Sequence, residues 1–166
     1  MRIERVAVNT SPLICLFESG LSDLFPALFT EIIVPDKVYK EVISKEDPVF
    51  KTLFSKSGFK HVDNVIIPPS VMSWDLGEGE SSVISFALKN PQYWAVIDDK
   101  EARRCAASLG CRFTGTVGII LLAKRRGIIP SVYECLKKLQ KAGLWLSEVF
   151  VKEVCRKANE GGKLNV

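Results

Sequence analysis

The chain has 166 residues, of which 47% are hydrophobic and 25% charged, with a formal net charge of +4. That balance suits one soluble globular domain and excludes a low-complexity polymer, and no apolar run approaches the ~20 residues that a helical membrane span requires. Charged Arg2, Glu4 and Arg5 at the N-terminus do not read as a leader, so the expected location is cytoplasmic.

Two features of the composition bear on chemistry. Residues 1–99 carry 9 Lys and Arg against 14 Asp and Glu, whereas residues 100–166 carry 14 against 5. Such segregation can set an acidic, metal-binding centre beside a basic surface that attracts a polyanion, although solvated helix faces give the same count. The five cysteines, Cys15, Cys105, Cys111, Cys135 and Cys155, lie scattered in apolar runs without the close paired spacing of a zinc site, and read as buried thiols.

In chain order, Ile3 to Val8 is short and β-branched and predicts a strand. Asn9-Thr10-Ser11-Pro12 follows, with Ser11 placed as N-cap and Pro12 at the first turn of a helix ending at Gly20. A second helical stretch covers 21–29, Glu31 to Val34 reads as a buried strand, and Pro35-Asp36 opens a helix through Ile43. Residues 45–62 predict a helix plus loop, and Val65 to Ile67 a short strand stopped by Pro68 and Pro69. Gly77-Glu78 leads into a helix that ends at Asn90-Pro91, and the apolar run Trp94 to Ile97 predicts a central strand. After Asp98-Asp99 a helix runs to Leu109. Cys111 to Phe113 forms a last strand, Thr114-Gly115-Thr116 starts another helix, and two more span 131–142 and 147–158. Strands joined by helical crossovers imply a three-layer α/β/α fold with a central, mainly parallel sheet and extra C-terminal helices, a single domain over 1–160 with a flexible tail at 161–166.

In an open parallel sheet, ligands bind beyond the carboxyl ends of the strands where the strand order reverses. Asn9 ends the first strand and Asp98-Asp99 the Trp94 strand, while Glu41 and Glu80 sit on helices adjoining that edge. Taken singly, each has an ordinary explanation: Asn9 as a turn residue, Glu41 paired with Lys37 or Lys45, Glu80 favoured by a helix dipole, Asp99 as an N-cap. Their shared destination is the argument, because crowded carboxylates call for a hard divalent cation. Thr114, Gly115 and Thr116 offer a helix-start anion site, and Lys100, Arg103 and Arg104, with Lys124, Arg125 and Arg126, could track a phosphate backbone. The lone His61 lies apart from these motifs and reads as a surface residue.

The phrases VNTSPLICL, IIVPDKVYKEVI, LGEGESSVISFAL, VIDDKEARRCAASLG and FTGTVGIILLAKRRGIIPSV together resemble the PIN-like proteins, specifically a subfamily long listed under a domain of unknown function, over about Val6 to Val154. The resemblance implies a parallel-sheet fold and an acidic cluster binding Mg²⁺ or Mn²⁺ for RNA cleavage. Many such proteins are toxins of toxin–antitoxin pairs. By position, Asn9 matches the family's first-strand aspartate, Glu41 the early-helix glutamate, Glu80 the acid opening the middle helix and Asp99 the later strand-end aspartate, with Asp98 beside it. These five are the expected catalytic residues; Asn9, Glu41, Glu80 and Asp99 are the expected metal ligands. Ser11, Lys100, Arg103, Arg104, Thr114, Gly115 and Thr116 are expected RNA or phosphate contacts. The expected partners are RNA, a small antitoxin and, from the apolar Trp145, Leu146, Val149 and Phe150, a second copy of the chain. Asn9 departs from the usual aspartate, so a PIN-like binding module with impaired chemistry is the alternative. A phosphotransfer domain needs a nucleophilic aspartate where the first strand ends in an amide.

Overall fold

The computed structural model describes residues 2–159. The expected tail at 161–166 falls outside them. The elements are β1 (Arg5–Val8), α1 (Thr10–Glu18), α2 (Leu24–Leu28), β2 (Glu31–Pro35), α3 (Asp36–Ile43), α4 (Pro48–Leu53), β3 (Phe59–Val62) and α5 (Pro69–Met72). They continue with α6 (Glu78–Lys89), β4 (Trp94–Val96), α7 (Lys100–Ser108), β5 (Phe113–Thr114), α8 (Thr116–Arg125), α9 (Val132–Lys141) and α10 (Glu148–Lys157).

The five strands form one sheet in the order β3-β2-β1-β4-β5, and every pairing is parallel. Chain progression therefore runs outward from β1 to β3, returns to the far side of β1 and continues to β5. The direction reverses between β1 and β4. With right-handed crossovers that reversal sends successive helices to opposite faces, and the strand residues agree. Val6, Ala7 and Val8 are all fully buried although neighbours along a strand point to opposite faces, so both faces are covered. On one side α6 packs against β1, β2 and β4 and touches α3, α5 and α7; α8 gathers α1, α2 and α9, and α10 packs on α9.

The polar edge of the sheet departs from the sequence reading. The third strand is Phe59–Val62, not Val65–Ile67. Only an outer strand could be built from FKHV, with Lys60 and His61 exposed, and it is held to β2 by the Ile32↔Phe59 to Pro35↔Val62 register. Pro69 opens α5 instead of merely stopping a strand. The first helix starts two residues early: Asn9, not Ser11, takes the N-cap position, and its side chain makes no capping bond.

A staple ties the basic C-terminal half to the segment before β1 and to the end of α2. Arg126, read above as an RNA-tracking residue, instead donates to the carbonyls of Leu28 (2.7 Å) and Ile3 (2.6 Å). Lys124 donates to the Pro130 carbonyl at 2.6 Å. No helix among the described residues is long and apolar enough to cross a membrane.

Candidate metal centre

Beyond the carboxyl end of β1, the chain must leave the buried run Val6–Val8, and Asn9 is the residue at which it does so. Its backbone N–H donates to the Val96 carbonyl at 3.1 Å, extending the β1–β4 ladder by one step. This fixes Asn9 at the place where strand order reverses. The side chain is only 3% exposed, and its Nδ2 donates to Glu80 Oε1 at 3.1 Å. Among the described residues, its Oδ1 has no hydrogen-bond partner. A buried amide oxygen without a partner costs about 1–3 kcal/mol, so something in the working protein should satisfy it.

The surroundings of that oxygen are built by α3 and the first turn of α6. Glu80 occupies the third helical position of α6, and Glu41 projects from α3, where Thr10 Oγ1 donates to its Oε2 at 2.6 Å. Gly79 faces Asn9 and Glu41: a Cβ there would lie 2.7 Å from Asn9 Oδ1 and 3.3 Å from Glu41 Oε1. A Cβ on Gly77 would strike Glu80 Oε2. The interleaved glycines of Gly77-Glu78-Gly79-Glu80 thus leave room for oxygens, at a helix start where glycine is otherwise a poor choice. Gly77, Gly79 and Thr10 were not singled out from sequence; the signal was two glycines alternating with acids in a first turn. Asn9, Thr10, Ser11, Cys15, Glu41 and Glu80 share one open cleft of about 430 Å³, closed on one side by Ala142, Gly143 and Leu144. Ser11 is exposed on its wall.

The two strand-end aspartates diverge, as consecutive residues leaving a strand should. Asp98 folds toward β5 and α8: its Oδ1 accepts the Thr116 amide at 2.8 Å and its Oδ2 the Thr116 hydroxyl at 2.5 Å. Gly115 permits this, since a Cβ there would lie 2.7 Å from Asp98 Oδ1. The amide and hydroxyl of Thr116 are therefore occupied by a protein carboxylate. Asp99 is exposed and caps α7, its Oδ2 accepting from Ala102 N at 2.9 Å. Lys100, Arg103 and Arg104 follow on α7, and the three of them line a shallow surface depression with Asp98. Thr114 closes β5, half-buried.

Asp98 still acts on the cleft through its charge. Burial first, then Asp98 and Glu18, push the Cys15 thiol up to about 11, so at neutral pH it is a protonated thiol and no nucleophile. The other four cysteines are buried, and none of the five is in a disulfide. His61 is exposed, stacked on Tyr39 at 4.1 Å and 2.9 Å from Asp36 Oδ1. Asp36, His61 and Asp63 offer ligand atoms within 4.8 Å of one another at the sheet's outer edge. Lys40 stands 2.8 Å from Asp36, and first Lys40, then His61, hold that carboxyl below its usual range. Lys40 thus already pairs with one carboxylate of this group. The Asn9 cleft is different.

At that cleft the donors are an orphaned amide oxygen and two carboxylates around a space kept open by glycine. They fit a hard divalent cation, which takes oxygen ligands. Neither a curated protein nor a solved structure matches the sequence. A family model described as a PIN domain matches residues 5–160, spanning all five strands and every helix described above, and the chain belongs to the PIN-domain family.

Proposed function

We propose that the protein is a metal-dependent ribonuclease that hydrolyses RNA phosphodiesters at the Asn9–Glu41–Glu80 cleft. PIN domains are in general nucleic-acid-binding, divalent-metal-dependent nuclease modules, and this reading adds the substrate, the reaction and the residues. The observation that carries it is the buried Asn9 Oδ1, left without a partner and facing the gap at Gly79 beside Glu41 Oε1.

In this reading Asn9, Glu41 and Glu80 hold Mg²⁺ or Mn²⁺. So held, the ion supplies Lewis-acid polarisation of a phosphoryl oxygen and a lowered pKa for water. The chain's residues do the rest. Asn9 Nδ2 orients Glu80, the Thr10 hydroxyl orients Glu41, and the buried Val6–Val8 run of β1 keeps Asn9 from moving. Asp98 is braced by Thr116 in the neighbouring depression, where Arg103 beside it supplies the positive charge for an incoming phosphate. Asp99 contributes as the cap that positions α7 with Lys100, Arg103 and Arg104. The toxin role, with a small antitoxin partner, belongs to this proposal on resemblance alone.

The test is cleavage of a labelled single-stranded RNA by the purified chain with Mg²⁺ or Mn²⁺. Glu80→Gln removes a ligand charge at constant shape and should abolish cleavage, as should chelator. Asn caps helices as well as Asp does, so Asp99→Asn keeps the cap while removing charge. Full activity in that variant leaves Asp99 as a cap, and loss of activity makes it a ligand. Cleavage that survives both chelator and Glu80→Gln would refute the proposal.

A further inference from the structure

Trp145 is 83% exposed, the most exposed large apolar side chain among the described residues, in the loop that joins α9 to α10. That loop is firmly set. Leu144 N donates to Leu139 O and Gly143 N to Gln140 O, the paired bonds of a Schellman end, and Gly143 takes the positive φ (+103°) that this end requires. On the far side, Gln140 Nε2 donates to the Leu146 carbonyl at 3.0 Å. Trp145 is thus held outward by a fixed backbone, and its indole has no core to join.

The loop also divides two grooves. Leu144 walls the metal cleft with Asn9 and Glu80, and it also walls a second groove with Asp98, Arg103, Phe150 and Lys157. Lys157 continues into a third depression beside Lys124 and Arg125. A path therefore leads from the acidic centre, by Leu144, Leu146 and half-exposed Phe150, onto basic surface, and Trp145 projects from the ridge between Leu144 and Leu146 without lining either groove. Aromatic faces interleaved with Lys and Arg suit an unpaired strand: phosphates follow the cations, and bases, whose π-faces are free only when unpaired, stack on the rings.

We propose that Trp145 is a stacking platform for an unpaired base of the RNA strand leaving the cleft, and so selects single-stranded over duplex substrate. The inference rests on the nuclease reading for its substrate, and charge complementarity along the groove is what argues for RNA as occupant.

The test is a binding titration in chelator, with the whole chain, fluorescein-labelled decauridylate and a ten-base-pair RNA duplex as probes. Trp145→Ala should weaken decauridylate binding on the order of ten-fold, the loss expected for one stacked base, and leave duplex binding unchanged. Trp145→Phe, which keeps a π-face, should restore most of the affinity. Equal binding by wild type and Trp145→Ala, or equal losses for both RNAs, would overturn the proposal. So would a wild-type dimer that Trp145→Ala dissociates in light scattering, which would give this face to a second copy. Because chelator removes any hydrolysis, a protein that never cleaves RNA yet binds through Trp145 sinks the nuclease reading alone. One that cleaves but binds independently of Trp145 sinks the stacking alone.

Discussion

Gly79→Ala places a single methyl group where the site has none, and two opposing effects decide its consequence. As a helix substitution it should stabilise by up to about 1 kcal/mol, less in a first turn than in a helix interior. As packing it is severe, because the new Cβ would lie 2.7 Å from Asn9 Oδ1 and 3.3 Å from Glu41 Oε1. Asn9 cannot swing aside cheaply: it is short, buried and bonded to Glu80. Overpacking of this kind costs about 1–3 kcal/mol, so the metal-free variant should be no more stable than wild type and up to about 2 kcal/mol less stable. The sharper readout is the response to metal. At 100 times its Kd an ion adds about 2.7 kcal/mol, and a ten-fold loss of affinity would cut this to about 1.4. For a chain of this size each kcal/mol moves Tm by about 2–4 °C, so Mn²⁺ should raise the variant's Tm several degrees less than it raises that of wild type. A variant with raised stability and an unchanged Mn²⁺ shift would refute the claim that Asn9 Oδ1 and Glu41 face a shared ion.

Asn9→Asp replaces the amide that donates to Glu80 by a second carboxylate at the same 3.1 Å. The metal-free variant should lose about 2–4 kcal/mol near neutral pH, and Mn²⁺ should recover most of that in a thermal melt. A metal-free Tm equal to wild type would show that the two side chains do not face each other. Arg126→Ala removes both bonds to Leu28 and Ile3 and should cost about 2–3 kcal/mol in urea unfolding without a change in RNA affinity. A loss of RNA affinity at unchanged stability would return Arg126 to the RNA surface. Glu31 is held below its usual 4.5 first by the Tyr93 hydroxyl, then by Lys60, with Arg5 adding a 3.1 Å bond. Its folded pKa lies below its unfolded one, so its contribution is complete above about pH 4.5 and is lost as pH falls through the lower folded value. Stability measured from pH 6 to pH 3 should fall less steeply in Glu31→Gln; parallel curves would refute the linkage.

Much of this architecture was legible because buried parallel strands and capped helices leave strong local patterns. Ile32, Ile33 and Val34, or Ala95 and Val96, can hardly be anything but inner strands. The third strand was not legible. Phe59–Val62 contains Lys60 and His61, and its identity as a strand comes from pairing with Ile32 to Pro35, a contact invisible to local pattern. The paired aspartates show the same limit at the site. In sequence Asp98 and Asp99 look interchangeable, but leaving a strand they diverge, one to Thr116 and the other to the start of α7. The glycines were read differently: Gly77 looked like a helix start and Gly115 like part of an anion site, whereas a Cβ at either would strike a carboxylate oxygen.

The asparagine at the first strand end, which from sequence counts only as a lost charge, has a physical role in the geometry. Glu18, Glu41 and Glu80 line this cleft with Lys45, and Asp98 stands in the neighbouring groove. A fourth carboxylate at position 9 would have to be neutralised by a proton or an ion before the sheet end could close. The amide avoids that requirement, since its Nδ2 answers Glu80 while its Oδ1 still faces the gap at Gly79. On the proposed reading the fold is thereby made less dependent on metal, and an ion would meet a ligand set weaker by one charge. Weak ion affinity at a pre-formed cleft is the expected combination, in contrast to the unstable apo site and tight ion of Asn9→Asp.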